Sequence, residues 1–167
     1  SLYGSNADQN QGSRLSNTLV ISNGVGPASV STLIQMDGAD NTKDIDKYEM
    51  SATVGPVSVG YSKDNNTEID YMAVSGSHDL GDVAISAVYS IKDNAGTETK
   101  GYEIVGTVAN ISVGYGEIVD GDSYITAGID QPITNAFFVY AEYQLEQNVL
   151  SSEEDQNNYA VGTKIVF

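Results

Sequence analysis

The sequence contains no cysteine and no tryptophan, and it has a single histidine, His78. Without cysteine there is no disulfide scaffold, no cysteine-ligated zinc site and no thiol nucleophile. A single histidine also excludes a zinc site built from several histidines. Basic residues are scarce, because 7 Lys and Arg stand against 23 Asp and Glu in 167 residues, for a net charge of −16. Nucleic acid is therefore not an expected partner, since phosphate binding needs clustered Lys and Arg.

Long apolar segments are missing as well. The longest apolar run covers six residues, Ala136–Ala141, whereas a membrane-spanning helix needs about 20. The sequence starts at Ser1 instead of a methionine, and no signal-peptide core follows. We therefore expect a chain from which a leader has been removed, or a fragment of a longer protein.

The residues that are abundant favour β structure. The chain has 17 glycines and 11 tyrosines but only 3 prolines, and it is rich in Val, Ile, Thr and Ser, which are strand and turn formers. Apolar and polar residues alternate along most of the sequence, and no long helical period interrupts them. This period-2 pattern predicts eleven strands, at about 13–22, 28–36, 46–54, 57–63, 68–78, 82–91, 99–108, 111–118, 123–131, 136–145 and 157–167.

The predicted connections alternate between two kinds. One set is tight, and the other is mostly longer, polar and acidic. The tight set covers 24–27, 55–56, 79–81, 109–110 and 132–135, and the other set covers 37–45, 64–67, 93–98, 119–122 and 147–156. This arrangement predicts an all-β, antiparallel up-and-down fold. It is typical of transmembrane β-barrels, which combine short turns on one side with longer loops outside.

The alternation gives each predicted strand an apolar and a polar face. In a membrane barrel the apolar face meets lipid and the polar face lines an aqueous lumen. A soluble barrel or sandwich alternates as well, because it buries one face. The Ser, Thr, Gly, Glu and Lys content of the polar face and the high strand number favour the membrane barrel. We expect Val83, Ile85, Tyr89, Phe137, Val139, Tyr143, Val161 and Ile165 to face lipid, and Glu49, Ser86, Glu103, Glu142 and Lys164 to face the lumen.

Tyrosines recur near the ends of the predicted strands. A tyrosine at a membrane interface keeps its ring in the apolar region and its hydroxyl in water, so the pattern predicts an aromatic girdle. The alternative interpretation is the ordinary preference of tyrosine for strands. The tyrosines expected on the apolar face are Tyr48, Tyr61, Tyr71, Tyr89, Tyr102, Tyr115, Tyr143 and Tyr159.

The last predicted strand resembles the C-terminal signature of bacterial outer-membrane barrels. That signature is a terminal Phe preceded by apolar or aromatic residues at alternating positions, here Tyr159, Val161, Thr163, Ile165 and Phe167. Thr163 departs from it, because a larger apolar residue is usual there. The resemblance implies that Tyr159, Val161, Ile165 and Phe167 form an assembly signal for the barrel-assembly machinery.

Internal segments resemble the Gram-negative general porins, which are trimeric and sixteen-stranded. Residues 14–18 (Arg-Leu-Ser-Asn-Thr) resemble the segment after the pore-constricting third loop, and 55–61, 79–83 and 110–115 resemble periplasmic turns with their strands. The resemblance covers 13–167; the order of the segments and the terminal Phe carry it. It implies a trimer in the bacterial outer membrane, in contact with lipid and lipopolysaccharide. It also implies passive diffusion of small hydrophilic solutes and ions, with no cofactor.

The strand number bears on completeness. Single-chain bacterial barrels have an even number of strands and both ends in the periplasm, whereas eleven strands place the N-terminus outside. On the porin resemblance these are strands six to sixteen, and residues 1–12 are the tail of the constriction loop. The competing interpretation makes residues 1–6 a short twelfth strand of a small closed barrel.

Charged residues on the expected polar face form the candidate site. Acidic residues outnumber basic ones there. Because their summed field raises the local cation concentration, they predict a weak cation preference in a wide pore. The alternative is a set of scattered, solvated charges that salt screens. The expected pore-lining residues are Arg14, Lys47, Glu49, Asp70, Glu103, Asp130, Glu142 and Lys164.

Other chemistry finds little support in the sequence. His78 and Asp79 border a tight turn, so we interpret them as solvated rather than as a catalytic dyad. The acidic stretch Asp37–Asn41 lacks the spacing of an EF-hand loop, and Glu153–Asp155 is a plain acidic run. We therefore predict no enzyme and no metal site. The alternative to a channel is a structural or adhesive surface protein whose acidic loops bind ions or host molecules.

Overall fold

A computed structural model of the chain describes residues 18–36, 45–147 and 155–165. The strands in these ranges are β1 (Thr18–Val25), β2 (Ala28–Met36), β3 (Ile45–Val54), β4 (Val57–Asp64), β5 (Ile69–Leu80), β6 (Val83–Asn94), β7 (Thr97–Val108), β8 (Ile111–Ile118), β9 (Ser123–Pro132), β10 (Phe137–Gln147) and β11 (Gln156–Ile165). These eleven strands pair in sequence order. Their registers are antiparallel, as in Thr18↔Gln35 and Phe137↔Ile165. The predicted all-β, antiparallel up-and-down sheet is confirmed, and the described residues contain no helix.

Differences from the predicted strands lie at their ends. β1 continues to Val25, beyond the predicted limit at 22, because its register with β2 persists up to the pair Val25↔Ala28. Residues 13–17, expected in the first strand, lie outside the described residues, as do the predicted loop tail at 1–12 and the final two residues. The loops at 37–44 and 148–154 also lie outside them.

Glycine supplies the positive φ that several tight turns require. Gly26, Gly55 and Gly81 have φ values of 61°, 57° and 72°, and each is the first residue of its two-residue turn. A type II′ hairpin turn places glycine at this position. Proline follows Gly26 and Gly55, because the second position needs the negative φ that proline fixes.

The predicted longer connection at 93–98 is wrong, since only two residues join β6 to β7. Ala95 and Gly96 both have positive φ, 50° and 89°, as in a type I′ turn. The carboxylate of Asp93 accepts a hydrogen bond from the backbone N–H of Gly96 at 2.7 Å. This hydrogen bond stabilises the two-residue turn. The polar residues on either side of it therefore remain in β6 and β7, although their composition is typical of a loop.

The strands fall into two compact units. Unit 1 comprises Ser1–Gly76 and Val88–Gly101, and unit 2 comprises Ser77–Ala87 and Tyr102–Phe167. Unit 1 therefore contains β1 to β4 with portions of the next three strands. Unit 2 contains the other portions of those strands and β8 to β11.

Each unit has an apolar and a polar face, fixed by the register. In unit 1, Met50 lies opposite Tyr61, which lies opposite Met72, whereas Glu49 lies opposite Ser62, which lies opposite Tyr71. In unit 2, the apolar residues Val113, Ile129, Val139 and Val161 alternate with a polar set. That polar set includes Thr126, Asp130, Glu142 and Lys164.

Burial is reversed relative to a protein with an apolar core. Met50 and Val113, on the apolar faces of the two units, are each 52% exposed, whereas Lys47 and Glu103 are only 8% exposed. The one buried hydrophobic residue in the described ranges is Tyr71, and the other buried residues with side chains are polar or charged. The polar faces are thus the enclosed ones and the apolar faces are open.

Candidate functional site on the polar faces

In unit 1 the polar face is organised around a charge pair on β3. The ammonium group of Lys47 lies 2.6 Å from the carboxylate of Glu49, and the two side chains are 10% and 28% exposed. The two residues are two positions apart on one strand, so the alternation of the strand puts both on the same face. Each charge largely offsets the field of the other.

Beside this pair lies an open pocket with a volume of about 310 Å³. Its lining combines Glu49, Ser51 and Ser75 with apolar side chains such as Leu33 and Val88. On either side of it, Ser22 and Ser31 are hydrogen-bonded at 2.8 Å, as are Thr53 and Ser58. Serine at these positions keeps the face polar without filling the space above it.

Tyr71 and Asp70 lie on faces opposite to those expected from the sequence. Asp70 pairs in register with Lys63 on the apolar side, and their charged groups are 3.1 Å apart. Tyr71 lies on the polar face, where the ammonium of Lys92 is 5.5 Å from its ring centroid. Met72 lies on the apolar side of β5 and Ala73 on the polar side. Because side chains alternate along a strand, Asp70 lies on the same side as Met72 and Tyr71 on the same side as Ala73.

In unit 2 a tyrosine crosses the polar face. The Tyr124 hydroxyl on β9 donates a hydrogen bond to the carboxylate of Glu103 on β7. Between them on β8 lies Gly116, the register partner of Tyr124. Glu103 is therefore buried beside a hydrogen-bonding tyrosine.

A second polar group in unit 2 spans β9 to β11. Lys164 reaches across β10 to Asp130, with 3.0 Å between their charged groups, and its ammonium lies 4.9 Å from the Phe138 ring centroid. Tyr140 lies between Asp130 and Gly162 in the register. Glu142 occupies the next polar position of β10 and forms no ion pair with the described residues.

Tyrosines cluster at one end of each apolar face. In unit 1 the ring centroids of Tyr48 and Tyr61 are 5.9 Å apart. Both residues lie at the strand ends that lead to the second set of connections. The next residue of β4 on this face is Lys63, paired with Asp70. Apolar surface therefore gives way to tyrosine and then to charge within a few residues.

The tyrosine clusters of unit 2 show the same progression. The hydroxyls of Tyr102 and Tyr115 both donate to the Glu117 carboxylate, at 2.7 and 2.6 Å. The rings of Tyr143 and Tyr159 are 5.1 Å apart, and the Tyr143 hydroxyl donates to the side chain of Asn157 at 2.7 Å. In each cluster the rings lie on the apolar face and the hydroxyls meet a polar residue.

The structure brings together only part of the predicted site. Six of the expected residues lie on the polar faces, and five of them form two ion pairs and one tyrosine contact: Lys47 with Glu49, Asp130 with Lys164, and Glu103 with Tyr124. Glu142 is on the polar face of β10, and Asp70 is not on a polar face. Arg14 and Phe167 lie outside the described residues, whereas Tyr159, Val161 and Ile165 lie on the apolar face of β11.

Sequence reasoning missed Lys92 and Tyr124 as residues of the polar faces, and it missed the contact of Tyr140 with Gly162. Lys92 follows Ser86, Val88 and Ser90 at alternate positions, so continuation of the period would have found it. The same alternation places Tyr124 and Tyr140 on the polar faces. It does not show that each ring lies against a glycine of the adjacent strand, because that contact depends on the register.

The described residues include no group of three or more His, Cys, Asp or Glu arranged to hold a metal ion. Within the same ranges, no helix is long and apolar enough to cross a membrane. The sequence matches no protein-family model, and no curated protein matches it significantly.

Proposed function

We propose that this chain is the C-terminal part of a bacterial outer-membrane porin, a passive diffusion channel for small hydrophilic solutes and ions. The reversed burial carries the proposal: the apolar faces are exposed, and the polar faces hold Lys47 and Glu103 at 8% exposure. A large contiguous apolar surface on a protein marks contact with another apolar phase. In this proposal the phase is lipid, and the polar faces line water.

The dimensions and the tyrosine clusters support a membrane position. The strands contain 8 to 12 residues, and a tilted transmembrane strand needs about 9–11. The tyrosine clusters stand where the apolar face ends, as expected of rings at the interface between lipid and water. Between these clusters and the short turns, the apolar faces of β3 and β10 carry no charged residue.

Closure of the barrel is part of the proposal. β1 and β11 end the strand order, and a strand edge in lipid must be paired because no water satisfies its backbone groups. We propose that five further strands of the porin join these edges. Trimer formation, contact with lipopolysaccharide and delivery by the barrel-assembly machinery through β11 follow from the porin resemblance.

The chemistry of this function needs no bound cofactor and no covalent step. Solutes cross in water, and the wall charges bias which ions enter. Glu142, without an ion pair among the described residues, contributes negative charge to the polar face of unit 2. A weak preference for cations is the expected result.

The test is the conductance of the full-length protein in planar lipid bilayers. We expect stepwise increases in current that scale with the conductivity of the salt solution, as a water-filled pore requires. Liposomes containing the protein should also swell in small neutral sugars. Insertion without conductance would favour the structural or adhesive surface protein. A protein that stays soluble without detergent would favour a soluble sandwich, and either result would overturn the channel.

A further inference from the structure

Two tyrosine rings on the polar face of unit 2 lie against glycines of the adjacent strand. A Cβ atom built on Gly162 would come within 2.5 Å of the Tyr140 hydroxyl oxygen and 2.6 Å of its ring. A Cβ atom on Gly116 would overlap the ring of Tyr124. Real Cβ atoms do not approach other heavy atoms this closely, so each ring occupies the space that a side chain would fill.

The Tyr124 contact extends across three strands. Neighbouring strands are about 4.8 Å apart, so two side chains that meet between β9 and β7 must together bridge about 10 Å. Tyr124 and Glu103 bridge this distance through the hydrogen bond between hydroxyl and carboxylate. The ring can cross β8 along the wall only because position 116 has no side chain.

Tyr140 on β10 lies against Gly162 on β11 in the same way. Tyr140 lies directly opposite Gly162 in the register of β10 and β11. On its other side Tyr140 faces Asp130, whose carboxylate is already paired with Lys164 at 3.0 Å. The ring therefore leans toward the glycine, away from the occupied side.

Neither glycine is required by its backbone. Gly116 and Gly162 lie inside β8 and β11 and have no left-handed φ, in contrast to the turn glycines such as Gly26. Glycine in a strand interior costs stability through backbone entropy and lost packing. Its presence at these two positions is explained by the ring that covers it.

We infer that Gly116 and Gly162 set the width of the proposed channel, and so its solute size limit, by letting Tyr124 and Tyr140 lie flat against the wall. The inference rests on the proposed function. A methyl group at either position would force the ring into another staggered rotamer. Paired strands flank the tyrosine on both sides, so a displaced ring would point away from the wall and into the lumen.

Gly60 in unit 1 has no comparable ring contact. Gly60 lies on the polar face of β4, and a Cβ atom there would meet only the backbone oxygen of Met50, at 3.9 Å. Gly106 is suitable as a matched control, since a Cβ atom there would meet nothing within 4 Å. Gly106 lies on the apolar side of β7, between Ile104 and Val108 in the alternation.

The first measurement reads ring position without reference to transport. In NMR spectra of the full-length protein in detergent micelles, the Hα signals of Gly116 and Gly162 should be shifted upfield by the rings above them. The shift at Gly162 should disappear in Tyr140→Ser, and the shift at Gly116 should disappear in Tyr124→Ser. Unshifted signals in the unmodified protein would overturn the inference and would leave the porin proposal standing.

The second measurement is single-channel conductance and sugar permeation. Gly162→Ala should lower the conductance and exclude larger sugars first, whereas Gly106→Ala should not. The double variant Gly162→Ala/Tyr140→Ser should regain the lost conductance, because it removes the displaced ring. If Gly162→Ala fails to fold, recovery of folding and conductance in the double variant still supports ring displacement.

Two outcomes of the second measurement would contradict the inference. Gly162→Ala that folds and conducts like the unmodified protein would show that the ring does not control width. A folded double variant that remains as narrow as Gly162→Ala would show the same. Absence of conductance in the unmodified protein, with the upfield shifts present, would instead overturn the proposed function and its size limit together.

Discussion

Each of the two units has an apolar face and a polar face, and the units differ in how the polar face is filled. Unit 1 has an ion pair between Lys47 and Glu49 and an open pocket of about 310 Å³ lined by serines and apolar residues. Unit 2 has tyrosine rings folded onto glycines, and its Glu142 carboxylate forms no ion pair with the described residues. One unit therefore offers space and balanced charge, and the other offers aromatic cover and unbalanced charge.

This difference shows what a period-2 pattern specifies. The alternation decides which face a residue occupies, because neighbouring side chains of a strand point to opposite sides. It does not decide which residues on that face contact one another across strands. Those contacts depend on register and on the size of the residue opposite, as in Tyr124 over Gly116.

The largest expected effect concerns the apolar face of each unit. Val59→Arg in unit 1 and Val139→Arg in unit 2 should each lower the free energy of unfolding in lipid vesicles by about 2–4 kcal/mol, because both place a charge in lipid. Ser51→Arg and Gln144→Arg, on the polar faces of β3 and β10, are the matched controls and should cost less than about 1 kcal/mol. Urea unfolding followed by far-UV circular dichroism measures all four.

Different outcomes for the two Arg variants would contradict the expectation that both apolar faces meet lipid. If Val59→Arg is tolerated and Val139→Arg is not, the apolar face of unit 1 does not meet lipid. If both are tolerated, neither face does, and the membrane proposal loses its main support.

The next effect concerns the two ion pairs. Lys47→Met leaves the largely buried Glu49 carboxylate without its 2.6 Å partner and should destabilise the protein by about 1–3 kcal/mol. Lys164→Met should cost less than about 1 kcal/mol, because Lys164 and Asp130 are 53% and 47% exposed and are screened by solvent. The same urea titrations compare the two variants.

The double variant Lys47→Met/Glu49→Gln controls for lost packing. It should recover part of the lost stability, because it removes the unpaired charge while keeping the volume of both side chains. Equal destabilisation by Lys47→Met and Lys164→Met would contradict the difference in burial between the two units.

Much of the fold was predictable from the sequence, because each strand carries its own alternation. The strand order and the antiparallel meander follow from the alternation and the turn residues, as with Gly55-Pro56 between β3 and β4. The placement of Asp70 was not predicted, since a charged residue was assigned to the polar face against the phase set by Met72 and Val74. The connection at Ala95-Gly96 was also missed, because its polar neighbours look like a loop in composition but remain in register.

The candidate site was less predictable than the fold. Ion pairs along one strand, such as Lys47 with Glu49, can be expected from spacing alone. Pairs across strands, such as Lys164 with Asp130, are 34 positions apart in sequence, and they require the register. Tyr71 was expected on the apolar face and lies on the polar one, where its ring packs beneath Lys92. The residue type alone could not decide, because a tyrosine ring is compatible with either face of a strand.

The smallest expected effect is on ion selectivity, and it sharpens the contrast in charge between the units. Glu142→Gln should shift the reversal potential of the full-length channel in a salt gradient toward neutrality. Glu49→Gln should shift it less, because Lys47 already offsets that charge at 2.6 Å and the field of the pair falls off quickly. Asp70→Asn is the control, since Asp70 lies on the apolar face and is paired with Lys63. The difference between the variants should shrink at about 1 M salt, where the screening length is about 3 Å.

Equal shifts for Glu142→Gln and Glu49→Gln would mean that ion pairing on the wall does not govern selectivity. Anion preference in the unmodified protein would mean that charges outside the described residues, Arg14 among them, outweigh the carboxylates of unit 2.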